Sequence, residues 1–393
     1  LSGYQLALPR RVWFGWGVRA ELPQAAKELG DRVWLVVGSR TLDNHGAIAA
    51  LTAELRRAGL AVERLADISR EPLVADVDAA AAVLRKAAGA HRDVIVAIGG
   101  GSAIDLGKAS AALATNLHGG SVQDYLEGVG KGVSIERPPL PFIAVPTTAG
   151  TGSEATRNAV ISSLDPPFKK SLRSPLMMPA AVLLDPELTA SCPPSVTAHS
   201  GLDAITQLIE SFVSRRSNAW TAALCREGLA RALPALPRAV ECGRDREART
   251  AMLHAAFLSG LALANSGLGL AHGVAAALGV RHHLPHGLAC AVMLPAAMRF
   301  NRSVCGGPFA EIGRLCSPAL AGVSDDEAAD GAIACIESLC RRLGIPRSLG
   351  ELGLGSSDIE PLLPASRGNS LSGNPRDVSD IELRALLTGM LAP

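Results

Sequence analysis

Three consecutive glycines, Gly99, Gly100 and Gly101, separate a short apolar run, Val94 to Ile98, from a helical pattern that begins near Ser102. The run is uncharged and rich in β-branched residues, as suits a strand buried on both faces of a parallel sheet. Glycine tolerates backbone angles and close approaches that a side chain forbids, and a helix start directs free N–H groups and a positive dipole end outward. The stretch therefore reads as a phosphate-binding turn, with a ligand-free turn between strand and helix as the alternative. A second glycine-rich loop, Pro146 to Thr156 (PTTAGTGSEAT), follows the apolar run Phe142 to Val145. Thr147, Thr148, Thr151 and Ser153 supply short hydroxyl donors for a diphosphate or a nicotinamide amide, and Gly150 and Gly152 permit a tight fold. A Ser/Thr turn capping a helix is the alternative there. Farther along, Asp203 lies in a helical run with position 207 one turn on, His272 opens a second helical run, and His286 follows Pro285 in a loop. One carboxylate and two imidazoles are a common set for zinc or ferrous iron with a position left open to substrate. Histidines in apolar stretches also serve as core residues or helix caps, so spacing alone leaves both readings open.

The type of phosphate ligand is narrowed by what the first loop lacks. Aligned on Gly107-Lys108, a Walker A loop would find Ser102 at its first glycine and Ala109 at its magnesium-binding hydroxyl, which disfavours an ATPase. The Rossmann fingerprint is met at Gly99 and Gly101 but not at Ile104, and no acidic residue follows about 20 positions on. A dinucleotide site of another topology remains.

The elements that must position these residues follow from pattern. Apolar runs at Val33 to Val37, Ala61 to Leu65, Val94 to Ile98, Phe142 to Val145 and Val182 to Leu184 read as strands, and Ala47 to Ala58 and Val77 to Ala88 as helices. This alternation predicts a parallel sheet covered by helices. From Pro194 onward helical periodicity dominates, which puts a domain boundary near residue 190: an α/β dinucleotide-binding domain over 1–190 and an all-α metal and substrate domain over 191–393. The charge-free stretch Ala251 to Val280 carries His254, Asn265, His272 and five glycines, and is expected to be a buried helix pair rather than a membrane span. Leu371 to Arg376 (LSGNPR) is a segment of turn formers.

Composition excludes other classes. With 38 basic and 37 acidic residues the formal net charge is +1, and aromatic residues are only 3%, so neither a phosphate-tracking surface nor a base-stacking platform is indicated. The eight cysteines lie between Cys192 and Cys340 without CxxC spacing, which argues against a zinc ribbon and for reduced thiols. The reduced thiols lead to the expectation of a cytoplasmic protein, and the opening LSGYQLALPRRVWF lacks the apolar core of a secretory signal.

Taken in order, GGGSAIDLGKA, PTTAGTGSEAT, LLDPELT, GLDAITQLIE, AHGVAAALG, PHGLACAVMLP and GNPR resemble the iron-containing alcohol dehydrogenase family over essentially the whole chain. The resemblance implies an N-terminal dinucleotide-binding α/β domain with a parallel sheet and an all-α C-terminal metal-binding domain, a fold shared with dehydroquinate synthase and glycerol dehydrogenase, with nicotinamide and metal in the cleft between them. It implies a metal-dependent, NAD(P)-linked exchange of an alcohol with its aldehyde or ketone, a small-molecule substrate and a homodimer. Carried over by motif, Gly99, Gly100, Gly101 and Ser102 hold the diphosphate, and Asp105 lies beside the cofactor. Thr147, Thr148, Thr151 and Ser153 line the path from adenosine to nicotinamide. Lys169, with Lys170 one register away, matches the cofactor-contacting lysine. The metal, Fe2+ or Zn2+, is expected on Asp203, His272 and His286.

Four departures from that pattern bear on chemistry. The family's usual fourth ligand, a histidine one turn after the aspartate, is Gln207 here, a neutral but poorer donor that implies weaker metal retention. The proton-relaying histidine one turn after His272 is Ala276, leaving water, a ribose hydroxyl, or one of His199, His282 and His283 to substitute, water first. Where NAD-preferring relatives carry an aspartate after the first strand, Gly38-Ser39-Arg40 stands; either cofactor is then possible, with NADPH slightly favoured because Arg40 can pair with a 2′-phosphate. Arg157, Arg281 and Arg376 in NSLSGNPR raise the alternative of an anionic carbonyl substrate, as in maleylacetate and phosphonoacetaldehyde reductases. A non-catalytic nucleotide-binding protein is the reading from another class.

Overall fold

The computed structural model describes residues 3–38, 40–116 and 118–392, without the side chain of Arg40. Ser39, expected at the cofactor ribose, lies outside the described residues, and so does the guanidinium expected on a 2′-phosphate. The chain divides into two compact units, one from Ala7 to Cys192 and one from Pro193 onward together with the residues up to Leu6.

The first unit runs β1 (Val12–Phe14), α1 (Leu22–Leu29), β2 (Arg32–Val37), α2 (Arg40–Asn44), α3 (Ala47–Arg57), β3 (Ala61–Asp67), α4 (Val74–Ala87), β4 (Asp93–Gly99), α5 (Gly101–Thr115), β5 (Phe142–Pro146), β6 (Asn158–Leu164), β7 (Pro167–Arg173) and β8 (Ala181–Leu184). Six strands form one parallel sheet in the order β1-β8-β5-β4-β2-β3. Strands β2, β4, β5 and β8 are buried along their whole length, which is why their sequences are continuous apolar runs rather than alternating ones. The edge strand β3 buries only Val62 fully and exposes Glu63 and Arg64. Five of the six strands lie where the apolar runs predict them. Strand β1 has only three residues, too few for a pattern to emerge. The antiparallel pair β6-β7 was also not anticipated: its faces mix Lys169, Lys170 and Arg173 with Phe168 and Leu172, so no apolar run announces it.

Because all six strands are parallel, their C-terminal ends share one edge of the sheet. Gly38 follows β2 there, Gly99 ends β4 and Thr147 follows β5, and Thr147 N–H donates to the Gly99 carbonyl at 2.9 Å.

The second unit contains α6 (Pro194–Val213), α7 (Ala219–Glu241), α8 (Arg246–Asn265), α9 (Leu270–His282), α10 (His286–Asn301), α11 (Gly306–Cys316), α12 (Asp325–Arg342), α13 (Ile359–Ala365) and α14 (Asp380–Gly389), and no strand among the described residues. Starts are marked by side-chain caps that satisfy free N–H groups: Asn218 for α7, Asp245 for α8, Ser324 for α12 and Ser379 for α14. The charge-free stretch is the end of α8 and most of α9, two helices bent by 99° at residues 266–269 and largely buried in this unit. Among the described residues no single helix is long and apolar enough to cross a membrane. His286 does not lie in a loop as expected: Pro285 precedes the helix, and His286 is the first residue of α10. A proline just before a helix presets its backbone angle and lacks only an N–H that the helix start leaves free, so the Pro-His pair marks a beginning rather than a break.

Candidate functional site

Two groups of predicted residues form two clusters, one in each unit. In the first, the glycines are required by crowding, not by unusual backbone angles, since none of Gly99, Gly100 and Gly101 has a left-handed φ. A Cβ on Gly99 would lie 2.7 Å from Ala103 Cβ and 2.8 Å from Gly38 Cα, and one on Gly101 would lie 2.7 Å from Thr151 Oγ1. A Cβ on Gly100 would meet Thr148 Oγ1 at 3.2 Å. The loop ending β4 and the loop ending β5 are thus pressed together, with Thr148 and Thr151 against the start of α5. Ser102 is the second residue of that helix and half-buried; Thr151 Oγ1 accepts from Ser153 N–H at 3.3 Å.

Behind this face lies a group whose role sequence reasoning missed. Lys108 is fully buried on α5, and its ammonium donates to the carbonyls of Ser153 (2.8 Å), Thr156 (3.2 Å) and Asn158 and to Thr156 Oγ1 (3.0 Å), tying the second loop to the helix. Asp105, one turn earlier, accepts from Val160 N–H at 3.0 Å through Oδ2, while its buried Oδ1 has no hydrogen-bond partner and lies 3.8 Å from Lys108 Nζ. Burial dominates the titration of all three ionisable groups here: it pushes the Asp105 carboxyl up, Glu154 up to about 7 and Lys108 down to about 8. A lysine in a helix otherwise made of small and apolar residues, apart from Asp105 one turn earlier, is the signal that points to such a buried clamp. Lys169 sits on β7 and is ion-paired with Glu71, which also accepts from Ser162 Oγ at 3.1 Å.

The second cluster is built from the middle of one helix and the starts of two others. Asp203, Gln207 and Glu210 recur at helical spacing on one buried face of α6. His272 stands in the first turn of α9, and His286 and Cys290 lie one turn apart at the start of α10. His272 Nε2 is 3.2 Å from Asp203 Oδ1, His286 Nε2 is 3.9 Å from the same oxygen, and Cys290 Sγ is 3.7 Å from His286 Nε2. One donor atom each from Asp203, His272, His286 and Cys290 falls within 4.8 Å of the others. Gln207 belongs to the same face, and its Oε1 accepts from Ser259 Oγ at 2.7 Å.

Glu210 organises this centre from behind. Its carboxylate accepts from the N–H groups of Gly269 (3.0 Å), Ala271 (2.6 Å) and His272 (3.4 Å), capping α9, and from His272 Nδ1 at 2.7 Å. The bond at Nδ1 fixes the ring so that Nε2 faces Asp203 Oδ1, and Nε2 would shed its proton on binding an ion. Gly269 is needed because a Cβ would stand 2.9 Å from Glu210 Oε1. Asn374 of the GNPR motif accepts from Leu270 N–H (3.2 Å) and is locked to Asn301 by two hydrogen bonds of 2.9 Å, so that motif also fixes the start of α9. Burial alone would push the Asp203 carboxyl up; the hydrogen bond with His272 and the charges of His286 and His272 hold it below the ordinary value instead. Burial likewise opposes protonation of His272, yet the neighbouring Cys290, Asp203 and Glu210 raise it well above the usual imidazole value. Burial pushes the Cys290 thiol up to about 11.

The remaining candidates separate. Ala276 stands one turn after His272 and offers no titratable group. His199 is one turn before Asp203 on α6, half-buried, with burial lowering its pKa. His282 faces Asp358 at 3.8 Å, and His283 ends α9 in the left-handed region at φ 54°. Arg281 is exposed. Arg376 is ion-paired with Glu382 and stacked 4.1 Å over the Phe300 ring, so it anchors the C-terminal segment rather than presenting a free charge. Arg157, in the first unit, has a buried Nε without a hydrogen-bond partner.

Comparison with known proteins bears on both clusters. Residues 9–186 match the family described as iron-containing alcohol dehydrogenase, and residues 197–391 match the C-terminal domain described as that of the Fe-containing alcohol dehydrogenase family. The chain is 32% identical over 394 residues to long-chain-alcohol dehydrogenase 1 of Geobacillus thermodenitrificans, covering 100% of this chain and 98% of that one. The crystal structure of a 1,3-propanediol oxidoreductase superposes with a TM-score of 0.92 at 31% identity, covering 99% of this chain and 100% of the other. A sulfoacetaldehyde reductase of Bifidobacterium kashiwanohense, solved in complex with NAD+, superposes with a TM-score of 0.86 at 30% identity over the whole of both chains.

Proposed function

Because the chain belongs to the iron-containing alcohol dehydrogenase family, we propose that it is a metal-dependent, NAD(P)-linked oxidoreductase that interconverts an alcohol and its aldehyde or ketone. The observation that carries this reading is the convergence of Asp203, His272 and His286, residues far apart in sequence, on one buried point. The donor set suits a divalent ion: about 3.3 Å separates N and O donors around a tetrahedral ion with bonds of roughly 2.0 to 2.1 Å, and the observed pair distances are 3.2 and 3.9 Å. When bound, the ion supplies a Lewis acid for the substrate oxygen and the nicotinamide supplies or receives the hydride.

The chain's own residues do the rest. Gly99, Gly100 and Gly101 give a diphosphate access to the start of α5, and Thr148 and Thr151 wall the same face. Glu210 holds a proton on His272 Nδ1 and so keeps Nε2 available as a ligand. Asp105 offers one buried carboxylate oxygen that the protein leaves without a hydrogen bond, as suits a residue beside a bound cofactor. With alanine at 276, the alcohol proton leaves through water. The missing carboxylate at residues 38–40 favours NADPH, and the relative solved with NAD+ favours NAD; both are to be assayed.

A second reading, reduction of an anionic carbonyl compound, is favoured by the buried and unsatisfied Arg157 Nε, and by a relative whose substrate carries a sulfonate. A panel of neutral and acidic aldehydes with NADH and NADPH tests both: acidic substrates must exceed neutral ones in kcat/KM, and Arg157→Met must erase the difference, for the second reading to stand. Asp203→Ala tests the first. Turnover should fall by roughly 10³-fold, the loss expected when several kcal/mol of charge stabilisation go. Unchanged turnover in a variant that elemental analysis finds free of metal overturns it.

A further inference from the structure

We propose that Cys290 Sγ is a fourth protein ligand of this centre, standing in for the histidine that family members place at position 207. The inference rests on the metal reading above and adds the donor that sets which metal is held.

The geometry carries it. Cys290 follows His286 by one helical turn at the start of α10, so both side chains project from one face toward Asp203 and His272. Around a tetrahedral ion with metal–nitrogen bonds of roughly 2.05 Å and a metal–sulfur bond of roughly 2.3 Å, a nitrogen and a sulfur lie about 3.6 Å apart. Cys290 Sγ is 3.7 Å from His286 Nε2, and the four donor atoms together lie within 4.8 Å of one another. Gln207, the residue at the usual ligand position, has its amide oxygen engaged by Ser259 Oγ at 2.7 Å. A neutral amide is also the weaker donor for a transition metal, whereas a thiolate is soft and carries a charge.

The consequence is a change of metal preference. Asp203 as carboxylate and Cys290 as thiolate together would balance a divalent ion in a pocket where Asp203, His272 and Cys290 are all buried, and with four protein donors the substrate oxygen would enter as a fifth ligand. Binding removes the thiol proton to solvent. A sulfur donor selects zinc or cobalt over ferrous iron, both by its softness and by the order of intrinsic affinities.

The test uses the full-length protein stripped with a chelator and titrated with Co2+. A thiolate-to-cobalt charge-transfer absorption should appear in the near ultraviolet at one equivalent, vanish in Cys290→Ser while the visible cobalt bands persist, and survive in Gln207→Ala. Zinc affinity should fall by on the order of 10²-fold in Cys290→Ser, at least what loss of a supporting residue costs. Cobalt bound with visible bands but no charge-transfer absorption in the unmodified protein overturns the thiolate ligand and leaves the metal centre standing. No cobalt taken up overturns the metal reading and this proposal with it. Should Cys290→Ser fail to fold, X-ray absorption of the zinc-loaded protein decides: a sulfur shell near roughly 2.3 Å supports the assignment and its absence overturns it.

Discussion

The two clusters use opposite materials. In the first unit the walls are backbone and small hydroxyls, and the side chains that matter most are those missing from Gly99, Gly100 and Gly101. In the second unit the centre is made of donor side chains from three helices, held in place by a carboxylate, Glu210, that is itself buried. The contrast follows from the ligands each suits. A diphosphate is large and anionic and needs close approach to N–H groups, whereas a divalent ion is a point charge that needs a few converging lone pairs.

If the two sites work as separate devices, each should break alone. Gly99→Val is expected to have the largest effect, because its Cβ would meet the backbone at Gly38 and neither strand can yield. Nucleotide affinity, followed by fluorescence titration, should fall by more than roughly 10²-fold, the scale of losing charge-assisted contacts to a phosphate, with metal content unchanged. A parallel loss of metal would mean that the damage spreads and the comparison fails. Glu210→Gln should do the reverse, weakening metal binding by about 10- to 100-fold with nucleotide affinity intact. The amide places an NH2 group against N–H donors whichever way it is turned, so the α9 start and the His272 ring lose part of their support.

The smallest effect probes the polar layer behind the glycine loops. Glu154 has its pKa raised by burial to about 7, so its stabilising contribution is complete below its unfolded value near 4.5 and is lost as pH rises through 7. Glu154→Gln removes that titration. The difference in melting temperature between the variant and the parent should therefore grow in the variant's favour from pH 5 to pH 8, and a difference independent of pH would contradict it.

Legibility also differs between the two regions. Four of the parallel strands are buried on both faces, so their apolar runs are visible in sequence, and the glycine triplet falls directly after one of them. The hairpin β6-β7 carries two lysines and an arginine and has no such run, and β1 is three residues long. In the helical unit Asp203, His272 and His286 were readable through their motifs, but Cys290 was not, because placing His286 in a loop concealed that Cys290 lies one turn further along the same helix. Glu210 and Lys108 stand inside the same motifs, GLDAITQLIE and GGGSAIDLGKA, but nothing in those motifs shows their roles. Their partners are backbone groups on other segments, and no spacing rule announces those.

Local pattern alone determined the membership of this chain in its family, the parallel sheet, the helical second half and the choice of Asp203, His272 and His286 as candidate metal donors, since each depends on neighbours in sequence or on one element's periodicity. The tertiary structure decided why the glycines are glycines, which carboxylate orients His272, and that a thiol stands beside the imidazoles. These are matters of distance between segments remote along the chain, and packing, rather than propensity, sets such distances.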